Sequence, residues 1–225
     1  MLVSIIIPVW NGENYLEEAI STALSQTYPH KEVIVVNDGS TDKTGAILRR
    51  YQDRLTVITQ ENSGLGASRN AGVNAAQGEL IAFLDHDDLW ENTKIEQQVA
   101  AYLQTDNDPL IFTYGKQFIC PTLSKEEHSR LRVNKTSVPG YLAGSLLLSL
   151  NRFQKIGPFT EKKSLGEFID WYMRAKEQKT PELLLKNVLY YRRVHQTNMG
   201  REKIAYNQKD YLKVLKEGLI RKRAR

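Results

Sequence analysis

The sequence predicts an α/β fold, a mostly parallel sheet flanked by crossover helices, on three observations. The runs "VSIIIP", "EVIVV", "LTVIT", "LIAFL" and "LIFTY" are short and β-branched; the stretches between them have helix length and helical spacing; and unusual polar residues gather just after the runs, where open parallel sheets bind ligands. At 225 residues, 41% hydrophobic and 25% charged, the chain suits one globular domain over 1–225.

After the first run, Tyr15, Leu16, Ala19, Ile20, Ala23 and Leu24 form an apolar stripe, with Asn11 or Asn14 to cap its start and Pro29 to end it. "DGSTDKT" opens the second crossover, its Ser40 to Asp42 supplying cap residues for a helix through Tyr51. "GLGASRNAGVNAAQG" reads as a small-residue helix able to lie close on the sheet. Residues 115–143 read as a polar, irregular insertion, the kind of segment that often forms a lid or binding loop. Regular signals resume with "GSLLLSL", a helix from about Leu165 to Gln178, the strand-like "LLLKNVLYYRRV" and a terminal helix.

The net charge is +5, and residues 209–225 hold seven Lys or Arg against two acids, so everything before them is neutral overall. A neutral body argues against a nucleic-acid binder, which carries a basic face across the fold. The basic stretch reads as a solvated tail or, because Leu212, Leu215 and Leu219 recur beside its charges, as a weak attraction for anionic membrane. No apolar run approaches the roughly 20 residues of a spanning helix, and no basic region precedes an apolar one at the start. The expected location is therefore cytoplasmic, with peripheral contact at the inner membrane face. The single Cys120 excludes an internal disulfide and a multi-thiolate metal site.

The densest chemical signal is "FLDHDDLW". Asp85, Asp87 and Asp88 fall within four positions, and carboxylates so close are costly to ionise together unless a positive charge, such as a divalent cation, neutralises them. An EF-hand is excluded, since Asp85, Asp87 and Glu96 fit its positions 1, 3 and 12 but Trp90 stands where it needs Gly. Neither a dinucleotide fingerprint nor a P-loop is complete. Asn37 and Asp38 follow the second run, Asn62 to Gly66 the third and the aspartates the fourth, so three loops should converge on one crevice; the plainer reading of Asp38 is a turn or cap residue before Gly39.

In order and spacing, "SIIIPVWNGENYLEEAISTALSQTY", "EVIVVNDGSTDKT", "NSGLGASRNAG", "GELIAFLDHDDLW" and "KIGPF" resemble the GT-A nucleotide-sugar glycosyltransferases of family 2 over nearly the whole chain. The resemblance implies a GT-A, Rossmann-like domain with a nucleotide-binding half (1–114), an acceptor-side half (115–200) and a basic C-terminal helix or tail (201–225). It implies that Pro8, Trp10, Glu13 and Asp38 contact the base, that Arg69 lies near the nucleotide and its phosphates, that Asp85 holds ribose or sugar, and that Asp87 binds a divalent cation, Mn2+ or Mg2+. "YYRRVHQTNMG" resembles the family's terminal strand and loop, which implies that His195 completes the metal or diphosphate site, with Arg192 and Arg193 as diphosphate contacts. Each has a plainer reading: core packing for Trp10, a surface ion pair for Arg69, a structural role for His195. His86 reads as a solvent-facing spacer.

The chain departs from the family at the Glu-Asp motif that supplies the base: in "LGEFIDWYMRA", Phe168 occupies the usual Asp position. Glu167 is the expected base, with Asp170 three residues on and on the same helix side; helix-start acids that favour the dipole are the plainer reading. The implied activity is inverting transfer of a sugar from a nucleotide-diphosphate donor, expected to be a uridine diphosphate sugar, to a hydroxyl acceptor that is a glycan, lipid-linked or small. The alternative is a catalytically weak relative that binds nucleotide sugar. A nucleotidyltransferase would need a Gly-rich, basic N-terminal loop, which "PVWNGENYL" is not.

Overall fold

A strand that is apolar at every position but one needs cover on both faces, and β1 (Val3–Val9), whose exception is Ser4, has it: all seven residues are buried. Val3, Ile5 and Ile7 join one core cluster with α1 (Leu16–Leu24), while Ile6 points into a second cluster on the opposite face. The computed structural model describes residues 1–134, 136–161, 166–196 and 198. The predicted terminal helix, the basic stretch 209–225 and Leu165 lie outside them.

From β1 the chain builds outward in parallel strands joined by crossover connections. β2 (Lys31–Asp38) lies parallel to β1, α2 (Thr44–Arg49) leads to β3 (Thr56–Gln60) parallel to β2, and α3 (Leu65–Ala75) returns the chain to β4 (Leu80–Phe83) on the other side of β1. After β5 (Leu89–Trp90) and α4 (Lys94–Tyr102) come β6 (Leu110–Ile119), α5 (Lys125–Arg130), β7 (Val138–Pro139), a 3-10 turn (Ala143–Ser145), β8 (Leu147–Ser149), α6 (Leu150–Ile156), α7 (Glu167–Glu177) and β9 (Glu182–Val194). Among the described residues these strands make one sheet in the order β3-β2-β1-β4-β8-β6-β9-β5, with β7 beside β6. β8 runs antiparallel between β4 and β6, bringing Leu147 level with both Ala82 and Ile111.

The close approach of α3 depends on Gly72, where a Cβ would come 2.3 Å from the Ile6 side chain. Facing it, Phe83, Phe112, Phe153, Phe159, Phe168 and Trp171 fill the second core, with Phe159 5.5 Å from Trp171.

Three local expectations are corrected. Neither Asn11 nor Asn14 caps α1: Tyr15 is the N-cap, while Asn11, at φ 51°, turns its Oδ1 to accept from the Thr41 N–H. The helix also stops at Leu24, before Pro29 is reached. In α2, Lys43 is the N-cap and the helix ends at Arg49, though Asp42 Oδ1 does accept from the Thr44 N–H. Residues 115–143 are not irregular throughout, because β6 continues to Ile119 against β9 and Ser124 and Glu127 form a capping box on α5.

The first core encloses a lysine. Lys94 is fully enclosed, its Nζ 3.8 Å from the Trp90 ring centroid and donating to Gln98 Oε1 at 2.7 Å, while Gln98 donates to the carbonyls of Ile111 and Ser145. Burial lowers its pKa well below the ordinary lysine value. Between that lowered value and about 10.4 only the unfolded chain holds the extra proton, so stability should rise with pH, by up to about 1.4 kcal/mol per unit. Urea unfolding of wild type and Lys94→Met from pH 7 to 10 checks this: the variant should lack that part of the slope.

Candidate functional site

Strand order reverses at β1, whose neighbours β2 and β4 lead into different crossovers, and the carboxyl ends of strands at such a switch point are where open parallel sheets take their ligands. One wall consists of two loops held together. The N–H groups of Asn11, Gly12 and Glu13 donate to Ser40 Oγ, Thr44 Oγ1 and Asp42 Oδ2, and Glu13 Oε2 accepts from the Lys43 N–H at 3.2 Å. Trp10 stands on this wall at 52% exposure, which corrects the core-packing reading. Pro8 is buried in β1; β4 pairing ends at Ile6, so its missing N–H leaves no ladder bond unmade.

Asp38 ties in the third loop. Its Oδ1 accepts from Gln60 Nε2 at 2.7 Å and the Ser63 N–H at 2.8 Å, and its Oδ2 from the Gly64 N–H at 2.9 Å. The loops after β1, β2 and β3 thus converge, and Asp38 works as a clamp between them rather than as a helix cap.

Beyond β4 the three aspartates take separate directions. Asp85 Oδ1 receives Arg69 Nη2 at 2.7 Å. Asp87 Oδ2 stands 3.0 Å from His195 Nε2 and accepts from Asn198 Nδ2 at 3.2 Å. Asp88 turns into the interior, accepting from the Tyr190 hydroxyl and, at 2.8 Å, from the Arg193 N–H. Burial and its two neighbouring aspartates push the Asp88 carboxyl well up, which favours the neutral acid. Burial also pushes Asp87 up, but the His195 hydrogen bond and the His86 and His195 charges outweigh it and bring Asp87 down to about 2. The expected triple cluster is therefore two partly exposed carboxylates, Asp85 and Asp87, and one buried anchor, Asp88. His86 is half-buried against Gly12, so it is no solvent-facing spacer.

Arg69 is 2% exposed, and its Nη1 donates to Glu167 Oε1 at 2.6 Å. The surface ion-pair reading is corrected: the pair is interior. The adjacent Asn70 exchanges hydrogen bonds with the Phe159 backbone, and at Gly66 a Cβ would meet the Thr160 carbonyl at 2.2 Å, so α3 and the "KIGPF" segment are keyed together. Asp170 Oδ2 accepts from Thr160 Oγ1 at 2.9 Å and pairs with Arg174 at 3.2 Å. Phe168 lies in the aromatic core, its ring stacked 6.0 Å from Trp171 and 6.1 Å from Tyr172.

Arg193 is also interior, which removes it as a diphosphate contact. It donates to Glu18 Oε2 at 2.8 Å and to the Asp87 carbonyl at 2.9 Å, beneath the rings of Tyr15 and Phe118. Arg192 is exposed. The Tyr15 ring lies 4.5 Å from that of His195 at a tilt of 39°, and burial beside Cys120 pushes its hydroxyl up to about 12. Sequence reasoning missed Tyr190 and Asn198. Asn198 both supports Asp87 and accepts from the His195 N–H at 2.7 Å, and the His-x-x-Asn spacing in "HQTN" was the available signal.

Among the described residues no three His, Cys, Asp or Glu side chains are spaced to hold a metal alone. What the crevice offers is a pair of carboxylates, Asp85 and Asp87, with Glu167 joined to the first through one arginine.

The family model described as Glycosyl transferase family 2 matches residues 4–168. The chain is similar to an uncharacterized glycosyltransferase of Rickettsia typhi, 34% identical over 236 residues, covering 98% of this chain and 72% of that one. It spans only 58% and 29% of the length of relatives from Rickettsia prowazekii and Rickettsia conorii. Among solved structures, S. aureus TarS 1-349 in complex with UDP-GlcNAc superimposes with a TM-score of 0.70 at 21% identity, covering 88% of this chain and 60% of that one. The mannosyltransferase PcManGT from Pyrobaculum calidifontis, with GDP-Man and Mn2+, gives 0.73 at 16%, covering 96% and 64%. These likenesses establish the GT-A fold.

Proposed function

The chain belongs to glycosyl transferase family 2, and from that premise we propose that it is an inverting transferase that moves a sugar from a nucleoside diphosphate, uridine diphosphate in the first instance, to a hydroxyl acceptor. The observation that carries the reading is the pair Asp85 and Asp87 just after β4, with Glu167 of α7 joined to Asp85 through Arg69. Carboxylates as close in the chain as Asp85 and Asp87 are costly to ionise together, and a divalent ion would relieve that cost. Asp85 and Asp87 are hard oxygen donors suited to Mn2+ or Mg2+, which keep positions for water and phosphate oxygens. When bound, the ion supplies Lewis-acid stabilisation to the departing diphosphate. His195 and Asn198 hold Asp87 for it, and the binding of UDP-GlcNAc by TarS and of GDP-Man with Mn2+ by PcManGT supports the pairing.

Glu167 is the group that takes the acceptor proton: its Oε1 is fixed by Arg69, leaving Oε2 as the basic atom. Asp170 is the weaker candidate, since Thr160 and Arg174 already use its Oδ2. The base lies over Trp10 between Pro8, Glu13 and Asp38. Residues 1–114 form the nucleotide half and 115–200 the acceptor half; 201–225 adds peripheral attachment to anionic membrane at the cytoplasmic face. No helix among the described residues is long and apolar enough to cross a membrane.

A panel of nucleotide sugars tests the reading, scored for binding and hydrolysis with and without Mn2+. Affinity equal in chelator and in metal sinks the cation, and absence of any binding sinks the transferase. Trp10→Ala should leave stability nearly unchanged, because the ring is half exposed, yet weaken UDP binding by the roughly 1–3 kcal/mol of a base–aromatic stack. Calorimetry beside a thermal melt separates the two effects. The weak-relative reading has one observation in its favour, the burial of Phe168 where a base is usual.

A further inference from the structure

Arg69 reaches two carboxylates on different elements, and among the described residues it has no other hydrogen-bond acceptor. Nη2 binds Asp85 after β4 at 2.7 Å and Nη1 binds Glu167 at the start of α7 at 2.6 Å. The guanidinium carbon is 5.6 Å from the Phe159 ring centroid, the residue is 2% exposed, and its Nε is buried without an acceptor. Two of its five N–H groups are taken by these carboxylates, and at 2% exposure the remaining three have no open approach from the solvent side for a phosphate oxygen. We infer that Arg69 is a positioning residue, a planar strut that fixes the Glu167 carboxylate at a set distance from Asp85, and not a contact of the nucleotide or its phosphates. The inference rests on the proposed transferase reading and changes the role of one residue within it.

The physical case is geometric. A guanidinium presents two parallel donors in a rigid fork, so two carboxylates bound to its ends lose their freedom relative to each other. If Asp85 holds the donor and Glu167 serves the acceptor, the strut sets how the acceptor oxygen lines up with the bond that breaks. A displacement of about 1 Å in such a pairing costs about 10²-fold in rate. Lysine keeps the charge and loses the fork, so it removes the strut with the least damage to the interior.

The test uses the full chain and three variants: Arg69→Lys, Glu167→Gln and the double. Calorimetry with UDP and Mn2+ reads nucleotide contact, and turnover of the UDP-sugar that wild type hydrolyses fastest reads positioning. Arg69→Lys should bind UDP within about 3-fold of wild type and retain KM while kcat falls about 10²-fold. Added to Glu167→Gln it should lower kcat by less than about 3-fold more, because residues that act as a unit are not additive. A tenfold or greater loss of UDP affinity in Arg69→Lys overturns the inference, as does full additivity with Glu167→Gln. Wild type that binds no UDP overturns the donor reading and this inference with it, an outcome distinct from a defect confined to the variant. If Arg69→Lys melts below the assay temperature, Arg69→Gln, which keeps a planar two-donor or donor–acceptor end without charge, carries the same comparisons.

Discussion

Glu167→Gln is expected to lower turnover by about 10²- to 10⁴-fold while donor binding stays within a few-fold, the signature of a lost general base. The amide keeps the size of the side chain, and its oxygen still accepts from Arg69, so the strut survives while the proton acceptor does not. Asp170→Asn is the control. Its carboxylate supports Thr160 and Arg174, so the variant should lose stability and keep its rate once folded. The opposite result, wild-type turnover in Glu167→Gln with a folded but inactive Asp170→Asn, moves the base to Asp170. Activity in both means the reaction draws no base from α7. Restoring the family residue with Phe168→Asp is not a clean comparison, because the ring is 8% exposed and stacked between Trp171 and Tyr172. Replacing a buried ring by a carboxylate is expected to cost several kcal/mol before it adds any chemistry.

Asp87→Ala is expected to abolish the advantage that Mn2+ gives to UDP binding, a loss of at least about 10²-fold, since even partners that only orient a metal ligand are worth 10- to 100-fold. Calorimetry in metal and in chelator measures it. Affinity that still depends on metal in Asp87→Ala removes the residue from the cation site. Asn198→Ala makes the graded comparison: it takes one donor from Asp87 Oδ2 and the acceptor of the His195 N–H, and should cost less than removal of the carboxylate itself.

The nucleotide-side architecture was legible because parallel strands covered on both faces read as unbroken apolar runs, and β1, β2 and β4 lie where those runs stand. The later half was less so. β8 has three residues and β6 carries register shifts against β9 near Tyr114, and neither leaves a periodic trace. The capping box of α5 was present in "SKEE" and went unread. At the site, sequence placed the aspartates at a strand end, yet could not say that Asp88 faces inward, because that depends on Tyr190 a hundred residues away. The interior positions of Arg69, Lys94 and Arg193 were equally hidden. Residue type alone assigns such cations to the surface, and only partners distant in sequence make burial tolerable.

The insertion of β8 between β4 and β6 has a consequence for how the chain is born. On a ribosome, β1 to β4 can pair as soon as they emerge, but the outer edge of β4 has no partner until Leu147–Ser149 is made, roughly 60 residues and about 3–12 s later at ordinary synthesis rates. Through that interval Leu80–Phe83 presents an unpaired, wholly apolar edge, the kind of surface on which nascent chains join one another. A release or pause before residue 147 should therefore yield aggregates rather than a stable half-protein, and chaperone dependence should fall sharply once α6 has cleared the exit.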